Sequence, residues 1–114
     1  MKVVFCTAPV EAAEKLASTL VEERLAACVN LVTPLTSIYR WQGVVERASE
    51  VLLVIKTRRA RVTKLMARLR ALHSYDVPEA IVLPITAGSA PYLRWLTAET
   101  APPTALKRRP KARR

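Results

Sequence analysis

One histidine, two cysteines and a few acids are the groups in this chain that could bind a metal or move a proton. His73 stands in the run HSYDVPE at 73–79. An imidazole with an unperturbed pKa of about 6.5 can ligate a metal or carry a proton near neutral pH. At the end of a helix it can equally satisfy the last carbonyls. Cys6 and Cys28 could hold a soft metal as thiolates, or act as small buried hydrophobes in strands. One His and two separated Cys do not complete a four-ligand zinc site without acids or a second chain, so a structural zinc site is not expected. Tyr39, Trp41, Tyr75 and Trp95 form a sparse aromatic set, with Lys56, Asp76 and Glu79 as nearby charges. Together they could line a small pocket or pack at a subunit contact. The chain has no GxSxG and no HExxH, and its two glycines exclude Gly-rich phosphate loops. Nothing brings together a nucleophile, a base and an oxyanion hole. A binding protein is therefore expected rather than an enzyme.

The net charge of +10 over 114 residues suggests a nucleic-acid partner until its distribution is read. Residues 101–114 hold six of the nineteen bases and no acid, leaving thirteen bases against nine acids before them. More than half of the excess thus sits on a Pro-rich terminal segment, which is expected to be a disordered basic tail. Much of the rest lies between Val51 and Tyr75, where seven bases meet no acid. That is either a solvated helix face or an anion-binding surface. No apolar run approaches the roughly 18–20 residues of a membrane-spanning helix, and the N-terminal apolar run is too short for a signal peptide. Two cysteines without a disulfide framework fit a reducing cytoplasm.

Helical and strand periods place these groups on elements. Val3 to Cys6 reads as a strand, with Thr7 as the cap of a helix over 9–26 carrying Ala13, Leu16, Ala17, Leu20 and Val21 on one face. Cys28 to Val32 reads as a strand broken near Pro34, continued by Thr36 to Trp41. Gln42-Gly43 reads as a tight turn into a return arm that holds the β-forming run Val51 to Ile55. Val62, Leu65, Met66, Leu69 and Leu72 give a second helix that ends near His73. Ala80 to Ile85 is a strand at or near an edge because of Pro84, and Pro91 to Leu96 a short final helix. The order β-α-β-β-α-β is ferredoxin-like, an α+β domain over residues 1–100. Two helices cover one face of a four-stranded sheet, yet the strands do not alternate apolar and polar residues as a half-exposed sheet would. A second copy of the chain is the economical cover for the other face.

The segments FCTAP at 5–9, LAACVN at 25–30, TSIYRWQG at 36–43, LVIKT at 53–57, HSYDVPE at 73–79, LPIT at 83–86 and YLRWL at 92–96 resemble, in order, those of the CutA divalent-cation-tolerance family. Ser74 and Asp76 stand where the family pattern usually has Pro and Glu. The resemblance implies a ferredoxin-like protomer in a homotrimer, linked to tolerance of copper and other divalent cations and requiring no fixed cofactor. It implies Cu(II) or a similar ion at His73 with Cys6 or Cys28. It also implies a cleft between subunits near Tyr39, Trp41, Lys56, Tyr75 and Glu79. An alternative is a PII-like trimeric sensor of a small anionic ligand. Base-stacking RNA readout on the sheet is not expected, because Val51 to Ile55 carries no aromatic residue. Nucleic-acid contact is expected only as non-specific binding by the tail.

Overall fold

The computed structural model describes residues 1–102. Its elements are β1 (Lys2–Pro9), α1 (Val10–Glu22), β2 (Cys28–Trp41), β3 (Val44–Thr57), α2 (Val62–Leu72), β4 (Ala80–Pro84) and α3 (Ala90–Glu99). A short 3-10 turn over Arg59–Arg61 leads into α2. The four strands form one sheet in the order β2-β3-β1-β4, and every pairing is antiparallel. This is the ferredoxin-like arrangement that the element order predicts. The basic tail expected from residue 101 lies, from residue 103 onward, outside the described residues.

Strand register decides which side chains meet the helices. Val4, Cys6 and Ala8 share a face with Val51, Leu53 and Ile55 across the β1–β3 ladder. All six are buried in one core with Ala13, Leu16, Ala17 and Leu20 of α1 and Leu65 and Leu69 of α2. Each fully buried leucine or isoleucine here contributes about 1.5–3 kcal/mol through removal from water. The alternate residues face away from the helices. Phe5 pairs with Ile81 and Val3 with Leu83 on that side, and Leu52 pairs there with Val32. Ile81, Leu83 and Val32 are exposed there. An apolar sheet face therefore stands without a helix layer, as the non-alternating strands predict.

β2 and β3 run on together well past the core as a two-stranded ribbon. Gln42 (φ 51°) and Gly43 (φ 82°) close it as a two-residue turn between the paired Trp41 and Val44. Two positive φ values match the twist of the strands, the hairpin geometry expected from the sequence. β2 is continuous rather than broken near Pro34. The register slips between Val32 and Leu35, so an irregularity absorbs the proline. An edge strand tolerates it because one side of the ladder needs no N–H.

The first helix is shorter than the 9–26 read from periodicity. It stops at Glu22, and Arg24 turns the chain with φ 61°. Leu25 and Ala26 keep the apolar pattern because they are buried, but in the turn that enters β2 rather than in the helix. Thr7 does not cap α1. β1 continues to Pro9, which is the N-cap residue and makes no side-chain cap bond.

Candidate functional site

A cleft of about 630 Å³ opens where the start of the ribbon meets the loop before β4. Ser37, Ile38, Tyr39 and Trp41 of β2 form one wall, Thr7 and Glu50 the floor, and Tyr75, Asp76, Val77, Pro78 and Glu79 the other wall. Four of the five residues expected in the family cleft are therefore neighbours within one chain. Lys56 is not. It pairs with Val3 and Cys28 nearer the opposite end of the sheet, and its ammonium donates to the Asn30 side chain.

His73 builds the second wall. Its backbone N–H donates to the Leu69 carbonyl at 2.9 Å, closing α2. Its ring then works on both sides. Nε2 lies 2.8 Å from the Thr7 carbonyl and donates to it, while Nδ1 accepts the Tyr75 N–H at 3.1 Å. The last β1–β4 pair is Cys6 with Ala80, so the imidazole takes over the Thr7 carbonyl just where the strand pairing stops. Tyr75 stacks obliquely on the imidazole at 4.7 Å between ring centroids. Its hydroxyl reaches across to donate to Glu50 Oε2 at 2.7 Å. Burial, followed by the Glu50 carboxylate that accepts this proton, holds the Tyr75 phenol above the ordinary tyrosine range.

Glu50 is 5% exposed and was not a sequence candidate. An acid placed directly before the apolar run Val51 to Ile55 within β3 is the signal that could have found it, since an acid is rarely buried without a partner. The cleft lining includes the carboxylates of Glu50, Asp76 and Glu79 and no Lys or Arg.

Of the three residues read as a metal set, Cys28 stands apart, while Cys6 Sγ and His73 Nε2 both approach the Thr7 carbonyl, at 3.7 and 2.8 Å. Cys6 pairs with Leu53 and Cys28 with Lys56, three positions further along β3, so the two thiols leave opposite faces of the sheet. Cys6 is fully buried among the helices, and burial pushes its thiol up to about 12, with Glu79 and Glu50 adding to the effect. It stays protonated in any ordinary buffer and is a poor thiolate ligand. Cys28 is half-buried, with its sulfur 3.7 Å from Asn30 Oδ1. His73 has both nitrogens engaged. Among the described residues, no three His, Cys, Asp or Glu groups come together in a way that could hold a metal ion.

A family model described as CutA1 divalent ion tolerance protein matches residues 2–99. The chain is 52% identical over 99 residues to "Protein CutA, chloroplastic" of Arabidopsis thaliana; the match covers 86% of this chain and 54% of that longer protein, so this chain spans about half its length. Against the solved divalent cation tolerance protein of Thermus thermophilus the TM-score is 0.85 at 52% identity, covering 89% of this chain and all of the other. A structure titled PII-like protein CutA, from Nostoc sp. PCC 7120, superposes with a TM-score of 0.84 at 37% identity over 89% of this chain and 98% of that one. A match over residues 2–99, with half of the aligned residues identical to those of such relatives, means that this chain belongs to the CutA1 divalent ion tolerance family.

Proposed function

We propose that the protein is a homotrimeric divalent-cation response protein that binds its ion without catalysing a reaction, at the carboxylate-lined cleft. The observation that carries this reading is the charge of the lining, three carboxylates with no Lys or Arg to neutralise them. Asp76 and Glu79 are exposed and present the oxygens, and Glu50 lends negative potential from beneath. Water and a group from a neighbouring copy would complete the coordination shell, since the described residues of one chain bring too few ligands together. Copper would be held most tightly of the common divalent ions whatever the biological cargo, by the Irving–Williams order.

Titration of the purified protein with Cu(II) and Mn(II) by calorimetry tests this. Asp76→Asn with Glu79→Gln is expected to weaken binding at least tenfold, whereas Cys6→Ser is expected to leave it unchanged. Unaltered affinity in the double carboxamide variant would remove the cleft from consideration.

The trimer draws support from the helix-free apolar sheet face and from the ribbon, which carries exposed Ile38, Val44 and Val45. No helix of the described residues is long and apolar enough to cross a membrane. A cytoplasmic location rests on the two free cysteines. Relatives bear names that place them in the chloroplast or the periplasm, so cell fractionation is the test.

A second reading has its own support. The cleft falls within the roughly 300–1,000 Å³ of small-molecule sites, and the Nostoc relative is called PII-like. If the protein senses a metabolite, the lining favours a cationic ligand over the anionic one considered from the sequence. A thermal-shift panel of amines against carboxylates and phosphates distinguishes the two, because a ligand raises the melting temperature by mass action.

A further inference from the structure

The floor of the cleft holds an acceptor that the protein leaves half used. Glu50 is 5% exposed and lines the cavity. Its Oε2 accepts the Tyr75 hydroxyl at 2.7 Å, while no donor among the described residues reaches Oε1. Among those residues, Arg58 Nε is the sealed side-chain polar atom without a partner, so Glu50 Oε1 keeps an opening, and the cleft is where it opens. A nearly buried carboxylate oxygen calls for a donor.

The walls above it are apolar on one side and acidic on the other. Tyr39 and Trp41 alternate along β2 and pair with Glu46 and Val44, so they share one face of the ribbon with Glu50. The ribbon's bases, Arg40 and Arg47, pair with Val45 and Ile38 and fall on the other face. Tyr39 and Trp41 are each more than 40% exposed. Such rings attract a cation over their faces, tryptophan most strongly. Opposite them, exposed Val77 lies between the exposed carboxylates of Asp76 and Glu79. Their charge is felt nearby: after burial, Glu79 and Glu50 are what hold the Cys6 thiol up.

This lining narrows the kind of cation. Aromatic and aliphatic walls offer a bare metal ion no ligand, and among the described residues no three His, Cys, Asp or Glu groups are placed to hold one within a single chain. A ligand several atoms long can reach carboxylates that one ion cannot. A quaternary ammonium would suit the rings but brings no N–H for Glu50 Oε1, whereas a primary ammonium brings three donors. We propose that the cleft binds a small aliphatic ammonium ion, a primary amine in its charged form, with N–H groups on Glu50 Oε1 and on the Asp76 or Glu79 carboxylate and its hydrocarbon stem against Tyr39 and Trp41. The assignment rests on the cleft being a cation site, and a metal ion and the amine compete there for the same carboxylates.

Calorimetric titration of the full chain with n-butylammonium chloride tests it, beside tetramethylammonium chloride and neutral n-butanol at matched ionic strength. Butylammonium should bind about tenfold more tightly than tetramethylammonium, the worth of a hydrogen bond to a charged group, and butanol should give no measurable binding. Glu50→Gln should weaken butylammonium by about tenfold and erase its lead over tetramethylammonium. Trp41 is exposed on the ribbon, so Trp41→Leu tests the site even if Glu50→Gln does not fold. It should weaken both ammonium ions several-fold, while Trp41→Phe should keep most of the affinity. Equal affinity for the two ammonium ions would overturn the primary amine. Full butylammonium affinity in the Trp41→Leu protein would overturn the aromatic wall. Titration with Mn(II) separates this assignment from the metal reading. If butylammonium fails to bind while Asp76→Asn with Glu79→Gln still lowers Mn(II) affinity, the amine is overturned and the cation cleft stands. If Mn(II) ignores those carboxylates while Glu50→Gln releases butylammonium, the metal reading falls and the amine stands.

Discussion

His73 stands in this structure as the residue that assembles the cleft wall, through one bond from each ring nitrogen. Replacing it with Ala leaves the Thr7 carbonyl and the Tyr75 N–H to find new partners. Equilibrium unfolding in urea should show a loss of about 1–3 kcal/mol, the cost of unsatisfied part-buried groups. A His73→Ala protein as stable as the parent would contradict this positioning role. The cysteines should divide by chemistry. A thiol-reactive disulfide reagent at pH 8 should label Cys28 in the folded protein, and Cys6 only after unfolding, because Cys6 is buried and holds its proton up to about 12. The same raised value has a sign for stability. The ordinary thiol releases its proton near 9.0, so above that pH the unfolded chain sheds a proton that the folded one keeps. Tyr75, also raised, acts in the same direction from 10.0 upward. The urea midpoint should therefore fall between about pH 9 and 12, and Cys6→Ala should flatten part of that decline. At this scale the sequence was half legible. Tyr39, Trp41, Tyr75 and Glu79 do share a site, because a turn-closed ribbon and the loop after α2 bring their segments together. Lys56 lies away from them within one chain, because six positions along β3 from Glu50 carry it toward the other end of the sheet.

Elements were easier to read than their ends. Apolar runs and helical spacing are set by burial, and burial is strong for Leu20, Leu53, Leu65 and Leu69. Leu53→Ala at the centre of the sheet should accordingly cost about 2–5 kcal/mol in unfolding free energy. The end of α1 was not legible, because Arg24 takes a left-handed conformation usually marked by Gly or Asn. The bond of its N–H to the Val21 carbonyl, the Arg61 side chain on its carbonyl, and its own clamp on Ala98 and Ala101 hold it there. The ribbon turn is the reverse case, where local chemistry suffices. A Cβ on Gly43 would meet no atom within 4 Å, so its φ of 82° is the whole reason for glycine. Gly43→Ala should therefore destabilise the turn by about 1–2 kcal/mol through backbone strain alone.

The described residues form an elongated body, with principal extents of 51 × 27 × 23 Å, and two uncompensated features on it point to the same remedy. Ile81 is 51% exposed and Leu83 40% exposed on the helix-free face. The outer ribbon pairs only with itself, and an isolated two-stranded hairpin is marginal in water. Association of copies would cover the face and give the ribbon a surface to lie on. Light scattering behind size exclusion should report about three chain masses for the parent protein. Its melting temperature should rise with protein concentration, since an assembly is stabilised by mass action. Ile81→Asp with Leu83→Asp places two charges on the face the copies would share, while leaving the helix-side core of Val4, Leu53 and Leu65 intact. That variant should run as a single chain, keep its helical and strand content by circular dichroism, and melt at a temperature independent of concentration. A folded double variant that still runs at the parent mass would place the interface on another surface. A parent protein of single-chain mass would refute the assembly, and with it any cleft ligand supplied by a neighbouring copy.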